Sequence, residues 1–408
     1  MNTTNIKMIS TGGVDFIIND QGVLLRMINT GERRDITIPD RFKSGEEIKY
    51  IAREFCAGRF GRVIISDKIT DIFNYAFTMA DVFEVKWSKG CKQIPQGCFS
   101  ESSLEAITNI EDVEEIGIAA FDGCLKGEFI WPDKCKIIPP GCFSESGITT
   151  ISNIDNVEYV GPTAFAGSKL KFIKWPSKCK TIPSHCFSCP PCDCDKPNSL
   201  ESITNIDDVE EIDEYAFGFC QIENMIWPSK CPTIPNGCFA SCKQLKNISN
   251  IENVEKIGDN AFSGTALTKF IWPSNCATIP ARCFMASKLQ TIENIDHVEK
   301  IGKSAFERVP MIEFEWPTKC ETVPTFCFRF SDLKTLYNTK VIKRIKDDAF
   351  FSCGPIEKIK GNKDDEKKDD RNVEVECTLP YWLSEAAEKE NTDLSELLTE
   401  TLKEKLKV

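Results

Sequence analysis

Phenylalanine recurs at positions 55, 77, 99, 121, 143, 165 and 187, and then, after eight extra residues, at 217, 239, 262, 284, 306, 328 and 350. The interval is 22 residues, broken by that insertion and by one single-residue slip. Each interval opens on a spaced apolar run such as Leu170-Lys-Phe-Ile173-Lys-Trp175 or Leu104-Glu-Ala-Ile107-Thr-Asn109. Inward apolar positions with polar residues between them predict a short strand there. A fixed period near 22 is the signature of stacked solenoid turns, each of which buries its apolar face only against its neighbours. The expected fold is a β-rich solenoid of about fourteen 22-residue turns over residues 41–359, with a parallel sheet on the concave side.

Two kinds of turn alternate, so the true repeat is 44 residues, clearest in the tryptophans at 87, 131, 175, 227, 272 and 316. Sliding one kind onto the other puts Asn109 on Trp131, Val113 on Cys135, Ile116 on Ile138 and Ala120 on Cys142. This overlay predicts one structural role for each slot. Cys91, Cys135, Cys179, Cys231, Cys276 and Cys320 fall where alternate turns carry Val, and Cys98, Cys142, Cys186, Cys238, Cys283 and Cys327 where they carry Ala. Exchange with Val and Ala marks a small buried hydrophobe, a role a reduced thiol fills. The Trp residues are expected to fill the core, and Asn109, Asn153, Asn205, Asn250 and Asn294 to bond neighbouring backbone.

The runs Ile257-Gly258-Asp-Asn-Ala261-Phe262, Ile301-Gly302-Lys-Ser-Ala305-Phe306 and Ala216-Phe217-Gly-Phe-Cys220 resemble the BspA-type leucine-rich repeat family. The resemblance spans about Ile36 to Ile359, with systematic Trp-Pro and Cys-Phe variants of the family's Ile-Pro and Ala-Phe. Val14-Asp-Phe-Ile-Ile through Pro39 looks like the family's N-terminal cap, which gives a cap over residues 1–40. The resemblance implies a surface or adhesion role. Against that, the opening Met-Asn-Thr-Thr-Asn-Ile-Lys has no apolar run of signal-peptide length, and reduced thiols belong inside a cell, so the expected location is cytoplasmic.

A formal charge of -12 opposes broad attraction to nucleic acid or anionic lipid, and nowhere do eighteen apolar residues run together, so no membrane association is expected. With His185 and His297 the only histidines, rich histidine chemistry is excluded by supply. No serine, cysteine or carboxylate pairs in sequence with a base, and no phosphate loop occurs, so no enzyme and no cofactor are expected. The insertion places Cys189, Cys192 and Cys194 close to Cys186, a spacing that either clips a zinc ion or belongs to a Pro-rich exposed loop.

The expected function is therefore that of a protein-binding scaffold. The outward strand positions supply the candidate face: Lys86, Ile130, Phe172, Lys174, Ile226, Ile271 and Glu315. Exposed Ile and Phe on such a face mark either a partner site or an ordinary solvated sheet.

Residues 360–372 are charged and without apolar side chains, a linker. Val373-Glu-Val375-Glu-Cys377-Thr-Leu379 alternates like a strand, Pro380 opens a helix carrying Trp382, and Asp393-Leu-Ser-Glu396 caps a second with Leu397, Leu398 and Leu402 on one face. A β-α-α unit over 373–408 is too small for its own core and is expected to pair two chains through Val373, Val375, Cys377, Leu379, Trp382, Leu397, Leu398 and Leu402. Thr378-Leu-Pro-Tyr-Trp382-Leu383 and Ala387-Glu388 resemble the ribbon-helix-helix tail of HicB-type antitoxins. That resemblance implies a ribbon whose outward residues, here Glu374, Glu376 and Thr378, face DNA. Two carboxylates oppose phosphate, so a homodimer is expected first and a DNA-binding regulator is the alternative.

Overall fold

The computed structural model describes residues 5–188 and 198–353, with the backbone of Lys358 and Ile359. They fall in two compact units, Met1–Ile222 and Glu223–Val408. The expected tail, with its dimerisation residues from Val373 to Leu402, lies outside the described residues, as do Cys189, Cys192 and Cys194.

The first unit opens with an antiparallel meander of β1 (Ile6–Thr11), β2 (Val14–Asn19) and β3 (Val23–Ile38). Its inward residues Val14, Phe16, Ile18, Leu24 and Met27 are buried, so the meander keeps water off the first turn's apolar flank. From β3 onward pairing is parallel, through Cys56–Ile65 and Asp81–Lys86 to Ala106–Thr108.

Beyond this point the expected parallel sheet is divided into two-stranded ladders, ending in a three-stranded one of Glu313–Glu315, Thr335–Tyr337 and Lys358–Ile359. Lys126–Ile130 pairs with Gly147–Ser152 and Phe172–Lys174 with Ser202–Thr204; in the second unit Asn224–Ile226 pairs with Asn247–Ser249 and Lys269–Ile271 with Thr291–Glu293. A second row of two-residue strands follows the same rule, as in Gln93–Ile94 with Glu115–Ile116 and Thr278–Ile279 with Lys300–Ile301. In both rows a Trp-bearing turn pairs with the Asn-bearing turn after it. In the strand rows the 44-residue sequence repeat is thus the pairing unit, whereas along the Phe positions backbone bonds also join one pair to the next, as in Phe121 to Cys142.

The overlay of Trp on Asn is corrected here. Trp87, Trp131, Trp175, Trp227, Trp272 and Trp316 are fully buried, and each indole Nε1 donates to the carbonyl of the Cys four residues on, at 2.6 to 3.2 Å. The Asn residues of the same slot, half-buried at Asn109 and exposed at Asn153, Asn205, Asn250 and Asn294, lie in the left-handed region, with φ between 62° and 65°, and leave the strand direction there. Left-handed backbone strongly disfavours most L-residues, and Asn is among the few that visit it routinely. Each Asn Nδ2 donates back to the carbonyl of the preceding Trp: Asn153 to Trp131, Asn205 to Trp175, Asn250 to Trp227 and Asn294 to Trp272, all at 2.7 Å. One sequence position therefore holds two backbone conformations and two functions.

The other slots hold as expected. Val113, Cys135, Ala120 and Cys142 are all buried. The Phe residues from Phe55 to Phe328 are fully buried and stack ring on ring, at 5.6 to 5.8 Å from Phe99 through Phe217 in the first unit and 5.5 to 5.9 Å from Phe239 through Phe350 in the second. The register comes from the backbone: within each unit the Phe N–H donates to the residue before the next Phe, as in Phe121 to Cys142 and Phe262 to Cys283 at 3.0 Å. Burying one ring contributes about 1.5–3 kcal/mol.

The Ile-Gly of an Asn-bearing turn meets the Ile-Pro of the turn before it. A Cβ on Gly258 or Gly302 would collide with backbone at Pro235-Asn236 or Pro280-Ala281. Asp213 takes the equivalent place in the first unit, its N–H donating to Ile182 at 2.9 Å.

Candidate partner-binding face

Side chains alternate across a strand, so one set of residues enters the core and the other faces solvent. On Phe172–Lys174, Ile173 is buried while Phe172 is 55% exposed and Lys174 is exposed. The same geometry leaves Ile130 at 62% exposure in the first unit, and Ile226 at 66% and Ile271 at 58% in the second. Glu315 is exposed and accepts from Asn338 Nδ2 at 3.1 Å; Lys86 is half-buried.

The strand register decides what these residues stand beside. Ile130 faces Ser152, Phe172 faces Ser202, Lys174 faces Thr204 and Ile226 faces Ser249. Ile271 faces Glu293, which pairs with Lys269 at 2.7 Å. The small hydroxyls beside Ile130, Phe172, Lys174 and Ile226 leave their flanks open. Lys174 Nζ reaches back to Asp155 Oδ1 at 2.9 Å, an exposed ion pair of small energetic weight.

Sequence reasoning missed further exposed apolar side chains, Phe83, Ile137, Tyr159 and Ile312 among them. Phe83 is 41% exposed beneath the Arg33 guanidinium, 3.8 Å from its ring centroid, and Arg33 in turn bonds Asp81 at 2.7 Å. Ile137 and Tyr159 are register partners on the second row and both about half exposed. Phe83 sits just after a leading apolar residue, a slot that Ile312 shares at 54% exposure and that other turns fill with polar residues such as Glu105, so the exception was visible. The second row was not, because two-residue strands carry almost no alternation.

The buried thiols have no nucleophilic character. Burial pushes Cys135 and Cys179 up to about 12 and Cys276 up to about 11, and raises the fully enclosed Cys98, Cys142, Cys186, Cys238, Cys283 and Cys327 further. Cys135, Cys179 and Cys276 Sγ donate to the carbonyls of Val113, Val157 and Val254, one turn back, at 3.3 to 3.4 Å. His185 Nδ1 lies 2.8 Å from Ser188 Oγ, but Ser188 is buried and the imidazole stacks on Tyr215 at 5.1 Å, so this pair closes a turn and offers no substrate access. His297 Nε2 is 3.1 Å from the Pro273 carbonyl. Among the described residues no cluster of three His, Cys, Asp or Glu could hold a metal ion.

Residues 33–128, 116–193, 192–290 and 256–370 match the family described as BspA type leucine rich repeat region (6 copies). No curated protein matches. Among solved structures, a leucine-rich repeat protein from Bacteroides ovatus is similar over 93% of this chain and 99% of its own, with TM-score 0.65 and 20% identity. The pneumococcal vaccine antigen PcpA covers 95% of this chain and 97% of its own at TM-score 0.49 and 17% identity. A leucine rich cell surface protein from Faecalibacterium prausnitzii covers 86% and 88% at TM-score 0.43 and 22% identity.

Proposed function

Because the chain belongs to the BspA-type leucine-rich repeat family, we propose that it is a non-enzymatic scaffold whose outward strand positions bind a protein partner. The observation that carries this reading is the recurrence of large exposed apolar side chains at one strand position. Ile130 in the first unit, and Ile226 and Ile271 in the second, all precede a buried Trp and all lie more than half exposed. Each costs solubility and adds nothing to the core, and exposed apolar groups recurring on a strand face mark interaction surfaces. Lys174 in the first unit and Glu315 in the second supply charge at the same strand position.

A photo-crosslinking residue placed at Ile226 or Ile271 tests the reading against the same residue at Ile137, on the second row. A partner captured at the first two positions, and lost when Ile226 and Ile271 become Glu, supports the strand face. Equal capture from the second row ends it.

We also propose that two chains pair through the tail and that the protein works in a reducing, cytoplasmic setting. The apolar pattern from Val373 to Leu402 supports the first and the buried thiols the second. Pairing would give bivalent engagement of a partner. Sedimentation of the full chain beside one ending at Ile359 tests it: a dimer that becomes a monomer supports pairing, and two monomers remove it.

A further inference from the structure

The sheet of the first unit ends on an open strand. β1 is its terminal member and, among the described residues, pairs with β2 alone. Asp20 N–H donates to the Asn5 carbonyl at 3.1 Å, and the two strands turn through Gly12 and Gly13, both with positive φ. In an antiparallel pair, residues that exchange both backbone bonds alternate with residues that exchange none. Counted from Asn5, the register gives the bonded positions to Lys7, Ile9 and Thr11, opposite Ile18, Phe16 and Val14. The N–H and C=O groups of Ile6, Met8 and Ser10 therefore point away from β2, at the open edge.

The side chains of these same residues share the outward face, because Lys7, Ile9 and Thr11 stand on the side of the buried Ile18, Phe16 and Val14. Ile6 is 62% exposed and Met8 66%, and Met8 lies beside the half-buried Ile17 of β2. Ser10 Oγ bonds Asp15 Oδ1 at 2.5 Å. Natural edge strands are commonly blunted by an outward charge, a proline or a bulge. None of these stands at Ile6, Met8 or Ser10, and the charge of the strand, Lys7, lies on the other face, where it bonds Glu46 at 3.2 Å.

We infer that β1 is a docking edge for a second copy of this chain, the two β1 strands running antiparallel about a two-fold axis at Met8. The symmetry of the open groups selects this occupant. Ile6, Met8 and Ser10 are evenly spaced about Met8, so they meet their own copy with no group left over: Met8 exchanges both bonds with the second copy's Met8, and Ile6 with its Ser10. A two-fold axis normal to the sheet keeps each face with itself, so Ile6 and Met8 of both copies join in one apolar strip. The contact is isologous and closes at two copies. Charge does not oppose it, because in this register Lys7 stands opposite the second copy's Ile9 and not another lysine. The edge is separate from Ile130, Ile226 and Ile271 and from the tail, and depends on neither.

The test uses the full chain. Met8→Cys should form a covalent dimer on mild oxidation, because the paired Cα atoms would lie about 5.5 Å apart, within disulfide reach. Thr11→Cys should not, since its two copies would stand about 20 Å apart; the parent chain supplies the background from native thiols. Amide exchange read residue by residue should show Ile6, Met8 and Ser10 protected in the parent. Met8→Pro removes a donor from the open edge and none from the β2 ladder, so Ile6 and Ser10 should lose protection by about tenfold or more while Lys7 and Ile9 keep theirs. Met8→Lys keeps every backbone donor but sets two like charges across the axis, and should lose protection at the same residues. Free exchange at Ile6, Met8 and Ser10 in the parent overturns the assignment, as does Thr11→Cys linking as readily as Met8→Cys. Protection of these amides without a covalent dimer from Met8→Cys would mean that a different strand covers the edge, and overturns it too.

Discussion

Asn109 Nδ2 donates to the Trp87 carbonyl oxygen at 2.6 Å, so a half-buried side chain of one turn completes the backbone of the turn before it. The contact recurs wherever an Asn-bearing turn follows a Trp-bearing one, except that Asn338 bonds Glu315 instead. Asn serves twice: its amide replaces a ladder N–H, and its backbone tolerates the left-handed region.

These two contributions are separable by mutation. Asn250→Ala should lose both and cost about 2–3 kcal/mol, adding an unmade bond to left-handed strain. Asn250→Gly keeps the backbone conformation, loses only the bond, and should cost roughly half as much. Urea unfolding of the two variants checks the difference; equal losses would remove the backbone part of the account.

Phe262 is fully buried and stacked on both Phe239 and Phe284. Phe262→Ala should therefore destabilise by about 3–5 kcal/mol. Ile271→Ser, on the solvent side, should stay within about 0.5 kcal/mol. The contrast is read from denaturant midpoints at equal slope. A large loss from Ile271→Ser would mean that its exposed side chain packs against something in the folded chain.

The thiols should be slow to alkylate. Iodoacetamide needs the thiolate, and burial holds Cys135 and Cys179 protonated to about 12. Mass spectrometry should find most described cysteines unmodified in the native protein and all modified in urea. Rapid labelling of Cys142 or Cys283 in the native chain would contradict their enclosure.

The same burial sets a pH dependence. An unfolded thiol ionises near its ordinary value of 9.0, whereas folded Cys135 and Cys179 keep their protons to about 12. Between those values the unfolded chain binds fewer protons than the folded one, so stability falls as pH rises. Their contribution is fully present below pH 9. Melting temperatures from pH 7 to 11 should decline in the upper part of the range, and Cys135→Val with Cys179→Val should flatten the decline.

Gly302 lies where a Cβ would strike the backbone of Pro280 and Ala281. Gly302→Ala should destabilise although its φ is ordinary, because the neighbouring turn is backbone and cannot swing aside. Asp213→Gly should be tolerated, since that junction already accommodates a side chain. Thermal melts of both variants provide the comparison.

Much of this architecture was legible without coordinates. The Phe period fixed the turns, and the exchange of Cys with Val and Ala placed the thiols in the core, because burial constrains volume and volume is written in residue type. The outward Ile130, Ile226 and Ile271 were found by alternation alone, since side chains across a strand have no other choice. The Trp/Asn slot misled, because equal spacing carries no record of φ. The expected parallel sheet holds, but the sequence period counts turns and does not say where its ladders divide.

What the sequence determined by itself was the repeat, its 44-residue doubling, the core residues and the outward row of Ile, all consequences of hydrophobic periodicity. What only the tertiary structure decided was where the strand ladders divide, the Asn amide that bonds the preceding Trp carbonyl, and the Arg33 guanidinium seated over Phe83. Those depend on backbone conformation and on contacts between residues 22 or more apart, where a left-handed φ or a stacked guanidinium leaves no local signature in the order of the residues.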